Sequence, residues 1–122
     1  MKKVLLVEDD PAVVDLIRLL LKEVALVSSA GEAETGIRLY ESEMPDMVFM
    51  DLTLPGMSGF VALKRIRALA QTSSHPVKIV VISSRNQPED REMALKQGAD
   101  DYISKPFEHK KLIDTFTRLT GS

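Results

Sequence analysis

Short apolar runs alternate along the chain with longer segments in which apolar residues recur at helical spacing. Strands of a parallel sheet covered on both faces read as continuous apolar runs, and helices connect them. The runs that predict strands lie at residues 4–7, 24–27, 47–50, 77–82 and 102–103. We therefore predict an α/β fold, a doubly wound, flavodoxin-like sheet of five parallel strands in the order 2-1-3-4-5 with helices on both faces.

Helix-start signals lie between these runs. Asp10, followed by a proline, predicts the N-cap of the first helix. Ser28 or Ser29 is the expected cap of the second helix, because each can accept a hydrogen bond from a free backbone N–H. Ser58 is the expected cap of the third helix, and Pro88 predicts the start of the fourth.

Composition limits the classes of protein that the chain can be. Its 122 residues, 44% of them hydrophobic, predict one domain spanning residues 1–122. A formal net charge of -2 provides no positive field for direct binding to nucleic acid or to an anionic membrane. The absence of cysteine excludes disulfides and zinc–cysteine sites, and three acids at residues 8–10 interrupt the first apolar run too early for a signal peptide or membrane span. We expect a soluble cytoplasmic protein.

Polar side chains stand where the predicted strands end. Glu8 and Asp9 follow the first strand, Asp51 follows the third, Ser83 the fourth, and Lys105 comes just after the fifth. Ligands of doubly wound sheets bind outside the carboxyl ends of the strands, near the point where the strand order reverses. In the predicted order that point lies between the first and third strands, which both end in acids. The sequence therefore predicts a site at this edge.

Three clustered carboxylates would repel each other by roughly 4 kcal/mol per pair at about 4 Å and an effective dielectric near 20. A divalent cation with oxygen ligands offsets that repulsion, and Mg²⁺ suits a few carboxylates together with water and a phosphoryl oxygen. Lys105 could pair with a carboxylate at rest and with phosphoryl oxygens during reaction. The set favours phosphoryl transfer with a carboxylate nucleophile, since the chain has no cysteine and no histidine at a strand end.

Taken singly, each of these residues also has a purely structural explanation. Asp10 is read as a helix cap alone, and acids that follow a strand are loop residues more often than ligands. Asp51 could be a turn former that accepts backbone N–H bonds. Ser83 and Lys105 could be ordinary loop residues. Their coincidence at successive strand ends is what favours a functional site.

Four blocks of the sequence together resemble the receiver domain of bacterial two-component response regulators. In chain order these blocks are VLLVEDDP, MVFMDLTLPGMSGF, IVVISSR and GADDYISKPF. The resemblance covers essentially the whole chain. DLTLPGMSG and YISKPF are its most specific parts.

The resemblance implies a role for each site residue. Asp51 corresponds to the phosphoacceptor, which takes a phosphoryl group from a phosphohistidine on a sensor histidine kinase or a phosphotransfer protein. Glu8 and Asp9 correspond to the acidic pair that holds Mg²⁺, together with Asp51 and the backbone carbonyl of Thr53. Thr53 also occupies a variable position that tunes hydrolysis of the acyl phosphate, and Lys105 corresponds to the lysine that contacts the phosphoryl group.

The same resemblance implies a conformational switch. Ser83 corresponds to the hydroxyl residue that turns toward the phosphoryl oxygen, and Tyr102 to the aromatic residue that moves inward with it. Arg85 occupies a second position that tunes hydrolysis. The family also implies a cis peptide bond between Lys105 and Pro106.

The implied output surface is the face built from the fourth helix, the fifth strand and the last helix. This face would contact an output domain or downstream protein, and a homodimer formed on phosphorylation is a further hypothesis. No turnover of a separate substrate is expected, although such a domain would catalyse its own phosphorylation and dephosphorylation. The charged residues expected on this face include Arg91, Lys96, Asp100, Lys111 and Arg118.

Three other functions are alternatives to this one. A flavin or nucleotide binder of the same fold would need a phosphate cradle after the first strand, where this chain has EDDP. A haloacid-dehalogenase-like phosphatase would have a second aspartate two residues after its nucleophile, where this chain has Thr53. A degenerate receiver that binds partners without phosphorylation is the remaining alternative.

Overall fold

A computed structural model, which describes residues 1–121, contains one sheet of five parallel strands in the order β2-β1-β3-β4-β5. The predicted fold class and strand order are confirmed. The strands are β1 (Lys2–Val7), β2 (Ala25–Ala30), β3 (Met47–Asp51), β4 (Lys78–Ser83) and β5 (Asp101–Ser104). The helices are α1 (Pro11–Leu21), α2 (Ala33–Glu43), α3 (Gly59–Gln71), α4 (Pro88–Lys96) and α5 (His109–Thr120).

Strand β3 is the middle strand of the sheet, and all five of its residues are buried. Its register places Met50 opposite Val7 of β1 and Asp51 opposite Ile82 of β4. The carboxyl ends of β1, β3 and β4 therefore reach the same edge of the sheet. The pairing of β3 with β1 as far as Met50, and with β4 as far as Asp51, fixes the position of Asp51 at that edge.

Two cores lie on opposite faces of the sheet, because alternate residues of each strand point to opposite faces. The α2–α3–α4 core contains Leu5 and Val7 from β1. The α1–α5 core contains Val4 and Leu6 from the same strand. Both faces of β1 are thus covered, which explains its continuous apolar sequence. Helix residues packed in these cores include Ile37, Leu63, Ile66 and Ala94 on the first face and Ile17, Leu21, Leu112 and Phe116 on the second.

The predicted helix caps are partly right. Asp10 accepts a hydrogen bond from the backbone N–H of Ala12 at 2.9 Å, and Ser58 caps α3. The prediction for α2 is wrong, because Ser28 and Ser29 lie within β2 and Glu32 precedes the helix. Pairing with β1 extends β2 to Ala30, and this backbone ladder takes the two serines away from the helix start.

Helix α2 packs closely against β1 at Gly36. A Cβ atom built on Gly36 would lie 2.7 Å from Cγ2 of Val7, which is well inside van der Waals contact. Glycine is a poor helix former, and the sequence pattern alone therefore argues weakly for a helix here. Contact with the sheet explains why a glycine is nevertheless present.

At the amino-terminal ends of β4 and β5, the side chain of Arg67 joins α3 to two neighbouring segments. Its guanidinium donates hydrogen bonds to the carbonyl of Gly98 at 2.9 Å and to Oδ2 of Asp100 at 2.8 Å. Oδ2 of Asp100 also accepts a bond from the backbone N–H of Ile79 at 2.8 Å. Asp100 is therefore engaged with α3 and β4 while it remains exposed, and its place on the output surface stays a prediction.

Within residues 1–121, no helix combines the length and the apolar character required to cross a lipid bilayer.

Candidate functional site

Three carboxylates meet at the carboxyl edge of the sheet, between β1 and β3. Oxygen atoms of Glu8, Asp9 and Asp51 all lie within 4.8 Å of one another. Glu8 and Asp51 are buried, at 3% and 5% exposure, whereas Asp9 is exposed. Turn geometry orients the buried pair, because Glu8 accepts the backbone N–H of Asp10 at 3.1 Å and Asp51 accepts that of Thr53 at 3.0 Å.

Lys105 approaches the same carboxylates from the end of β5. Its Nζ donates to Oε1 of Glu8 at 2.5 Å and to Oδ2 of Asp51 at 3.3 Å. Only 19% of the lysine side chain is exposed. The peptide bond that joins Lys105 to Pro106 is cis. The ammonium of Lys105 thus contacts both buried carboxylates of the cluster.

The electrostatics of this cluster follow from burial and pairing. Burial raises the pKa of Glu8, with a smaller contribution from the negative charge of Asp51, and the hydrogen bonds from Lys105 and Asp10 oppose that rise. For Lys105, burial alone would lower the pKa, but the contacts with Glu8 and Asp51 outweigh it and the pKa is raised. The ammonium is therefore charged at neutral pH, and it partly compensates the carboxylates.

Ser83 ends β4 in a fully buried position. Its Oγ accepts a hydrogen bond from the backbone N–H of Arg85 at 3.1 Å. The guanidinium of Arg85 turns toward α4, where its Nε and Nη2 lie 3.0 and 2.8 Å from Oδ1 of Asp90. It also stands over the ring of Phe60, 5.5 Å from the centroid.

Tyr102 lies inside the protein, with 5% of its surface exposed. Its hydroxyl donates to the backbone carbonyl of Arg85 at 2.5 Å. Burial raises the pKa of the phenol, while the nearby hydroxyl of Ser83 acts in the opposite direction. The two predicted switch residues are therefore both attached to the loop that follows β4.

Asp101 organises the face formed by α4, β5 and α5, and sequence reasoning did not single it out. This buried carboxylate forms an ion pair with Arg118 of α5, and it lies 3.6 Å from Nη1 of Arg91 in α4. Arg91 also donates to the carbonyl of Tyr102 at 3.3 Å. Arg91 and Arg118 thus make contacts within the chain although both remain exposed, as do Lys96 and Lys111.

Sequence reasoning did not single out Asp90 either. It lies five residues after Arg85 and next to another acid, so its sequence position indicated an ordinary acidic first turn of a helix. The contact with Arg85 depends on how the intervening loop folds. A pairing of that kind leaves no periodic signal in the sequence.

The chain matches a known protein family along most of its length. The family model described as the response regulator receiver domain matches residues 4–117. The chain belongs to this family. Receiver domains are signalling modules of two-component systems that interact with histidine kinases and output domains. The predicted family and the predicted role as a receiver domain are confirmed.

Two relatives and one solved structure illustrate the similarity of this receiver domain to others. Protein PilH of Pseudomonas aeruginosa is 34% identical over 120 residues, which cover 98% of each chain. The transcriptional regulatory protein AfsQ1 of Streptomyces coelicolor is 34% identical over 113 residues, covering 92% of this chain and 48% of that protein. The receiver domain of sensor histidine kinase PA1611 from Pseudomonas aeruginosa has a TM-score of 0.86 and 31% identity, with 99% and 98% of the two chains covered. That structure has a magnesium ion coordinated in its active site cleft.

Proposed function

We propose that this receiver domain accepts a phosphoryl group on Asp51 from the phosphohistidine of a sensor histidine kinase or phosphotransfer protein. The observation that carries the proposal is the position of this carboxylate. It ends the fully buried middle strand, and Glu8, Asp9 and Lys105 surround it. A nucleophile held in this way loses little freedom when it reacts.

In the proposed step, a carboxylate oxygen of Asp51 forms a bond to phosphorus. The bond from phosphorus to the donor histidine nitrogen breaks, and that nitrogen keeps the electron pair. Lys105 is close enough for its ammonium to move from the carboxylates to the phosphoryl oxygens, where negative charge is concentrated. Hydrolysis of the acyl phosphate would return Asp51 to a free carboxylate.

The donor set at this edge fits Mg²⁺. Three carboxylates with oxygens within 4.8 Å of one another are hard ligands, and such clustering requires a compensating charge. Glu8, Asp9, Asp51 and the backbone carbonyl of Thr53 would hold the ion. When bound, Mg²⁺ would neutralise charge on the carboxylates and on the incoming phosphoryl oxygens.

Ser83 and Tyr102 are proposed as the switch residues. Both contact the backbone of Arg85, so movement of one changes the loop that holds the other. The side chains of Thr53 and Arg85 are proposed to tune hydrolysis of the acyl phosphate. The face of α4, β5 and α5 is proposed to contact an output domain or downstream protein.

We propose residues 1–122 as a single receiver domain, and a homodimer formed on phosphorylation as one form of its output. Light scattering with and without a phosphoryl mimic tests the second proposal. An unchanged mass would count against dimerisation.

The central test is covalent labelling of the protein with a small acyl phosphate donor in the presence of Mg²⁺. Intact mass should show one added phosphoryl group on the wild type and none on Asp51→Asn. Asp15→Asn is the matched control, because Asp15 is an exposed aspartate of α1. No label on the wild type, or an undiminished label on Asp51→Asn, would falsify the proposal, and the first result would favour a receiver that only binds partners.

A further inference from the structure

Arg85 connects several parts of the structure that surround the predicted switch. Its backbone N–H donates to Oγ of Ser83, and its backbone carbonyl accepts the hydroxyl of Tyr102. Both switch side chains therefore depend on where the backbone of Arg85 lies. Whatever fixes that backbone also fixes the relation of Ser83 to Tyr102.

The side chain of Arg85 is fixed by Asp90. Two of its guanidinium nitrogens donate to Oδ1 of Asp90, at 3.0 and 2.8 Å. The second oxygen of Asp90 accepts the backbone N–H of Gln87 at 3.3 Å, as part of the capping box that begins α4. The aspartate side chain is only 12% exposed, compared with 53% for the arginine. Asp90 thus closes the loop of residues 84–87 against the first turn of α4.

The loop geometry also bears on the chemistry of Ser83. Because Oγ of Ser83 accepts the N–H of Arg85, the oxygen is oriented while its own proton can still be donated. A phosphoryl oxygen on Asp51 would be an acceptor for that proton. The guanidinium of Arg85 is at the same time held over Phe60 and against α4.

We propose that Asp90 is a positioning residue for phosphoryl transfer to Asp51. By holding Arg85, it keeps the loop after β4 in the form that orients the hydroxyl of Ser83 and retains Tyr102 inside. This inference rests on the proposed function of Asp51. Asp90 acts through Arg85 and does not touch the carboxylates of the acidic cluster.

Tyr102 provides a readout that needs no phosphorylation. The chain has two tyrosines and no tryptophan, so Tyr40→Phe leaves Tyr102 as the single tyrosine fluorophore. In this background, Asp90→Asn should increase quenching of tyrosine fluorescence by acrylamide at least about twofold. Glu89→Gln is the matched control, because it removes an exposed acid from the same helical turn and should leave quenching unchanged.

Labelling with an acyl phosphate then tests the link to chemistry. Asp90→Asn should label about three- to tenfold more slowly than the wild type, with Mg²⁺ affinity unchanged within twofold. Arg85→Gln should reproduce both changes. The double variant should be no slower than Arg85→Gln alone, because the two residues act through one contact. Asp90→Glu should restore much of the rate, since it retains the charge and the capping role.

The outcomes separate the two proposals. If the wild type takes no label, the proposed function fails and this inference fails with it. If the wild type is labelled but quenching and labelling rate are unchanged in both Asp90→Asn and Arg85→Gln, only the inference is overturned. The inference would also be overturned if the fold-reductions in labelling rate of the two single variants multiplied in the double variant, because a shared contact would then be excluded. Circular dichroism of each variant checks that it folds, and Arg85→Gln tests the same contact if Asp90→Asn does not fold.

Discussion

Replacement of Lys105 by methionine should tighten Mg²⁺ binding. The ammonium lies 2.5 Å from an oxygen of Glu8 and 3.3 Å from an oxygen of Asp51, so it uses carboxylate oxygens that a metal ion would also need. Lysine and metal should therefore compete for the same site. Methionine has a similar length and no charge, and it removes the competitor with little change in packing.

The size of the effect can be bounded from these distances. At an effective dielectric of about 20, the two contacts have Coulomb energies of roughly 7 and 5 kcal/mol. The free-energy cost of removing the ammonium from water offsets most of these Coulomb energies, because the lysine side chain is only 19% exposed. The net contribution of one charge-assisted hydrogen bond is about 1.5–3 kcal/mol. If metal binding breaks the shorter contact, Lys105→Met should bind Mg²⁺ about ten- to a hundredfold more tightly.

Isothermal titration calorimetry of both proteins in the same buffer measures this affinity. The control is Lys110→Met, because Lys110 is an exposed lysine that pairs with Asp114 one helical turn away. Its Mg²⁺ affinity should match that of the wild type. Equal or weaker Mg²⁺ binding by Lys105→Met would refute the competition, and would mean that lysine and metal can share the carboxylates. Acyl phosphate labelling of Lys105→Met should nevertheless be slower than in the wild type.

Two further predictions concern stability. Gly59→Ala should lower the free energy of unfolding by about 1–3 kcal/mol in urea titrations, because its Cβ would lie 2.7 Å from the backbone oxygens of Asp51 and Leu52. Gly31→Ala is the control, because a Cβ there meets nothing within 4 Å and the free energy of unfolding should be nearly unchanged. Burial raises the pKa of Glu8, so its contribution to stability is fully present below the ordinary pKa of a glutamate side chain and is lost as the pH rises through the higher pKa of the folded state. A series of urea midpoints against pH should show this fall in the wild type, and Glu8→Gln should remove that component of it.

The sheet and the position of the acids were predictable because they depend on patterns along the chain. Continuous apolar runs indicated strands covered on both faces, and parallel strands bring their carboxyl ends to one edge. That was sufficient to expect Glu8, Asp9 and Asp51 together. A resting contact between Lys105 and a carboxylate was also foreseeable, although its closer approach to Glu8 than to Asp51 depends on side-chain conformation.

Contacts between elements were not predictable in the same way. Ser28 and Ser29 have good capping side chains, but pairing of β2 with β1 outweighed that local preference. Asp101 and Asp90 look like surface acids in the sequence, and they become structural once their arginine partners are brought near by the fold. Such pairings join residues from separate elements or across a folded loop, and single-chain patterns carry no signal for them.

The division of the interior by the sheet affects how a signal could travel. Tyr102 packs in the α2–α3–α4 core, while the next residue of β5, Ile103, packs in the α1–α5 core. An outward rotation of Tyr102 would open a void on one face of the sheet only. The layer that contains the α2–α3–α4 core would then be the compliant layer, and the layer that contains the α1–α5 core would be the stiff layer. A kinase in contact with the stiff layer would meet the same surface before and after the switch, while a partner that reads the compliant layer would detect the difference.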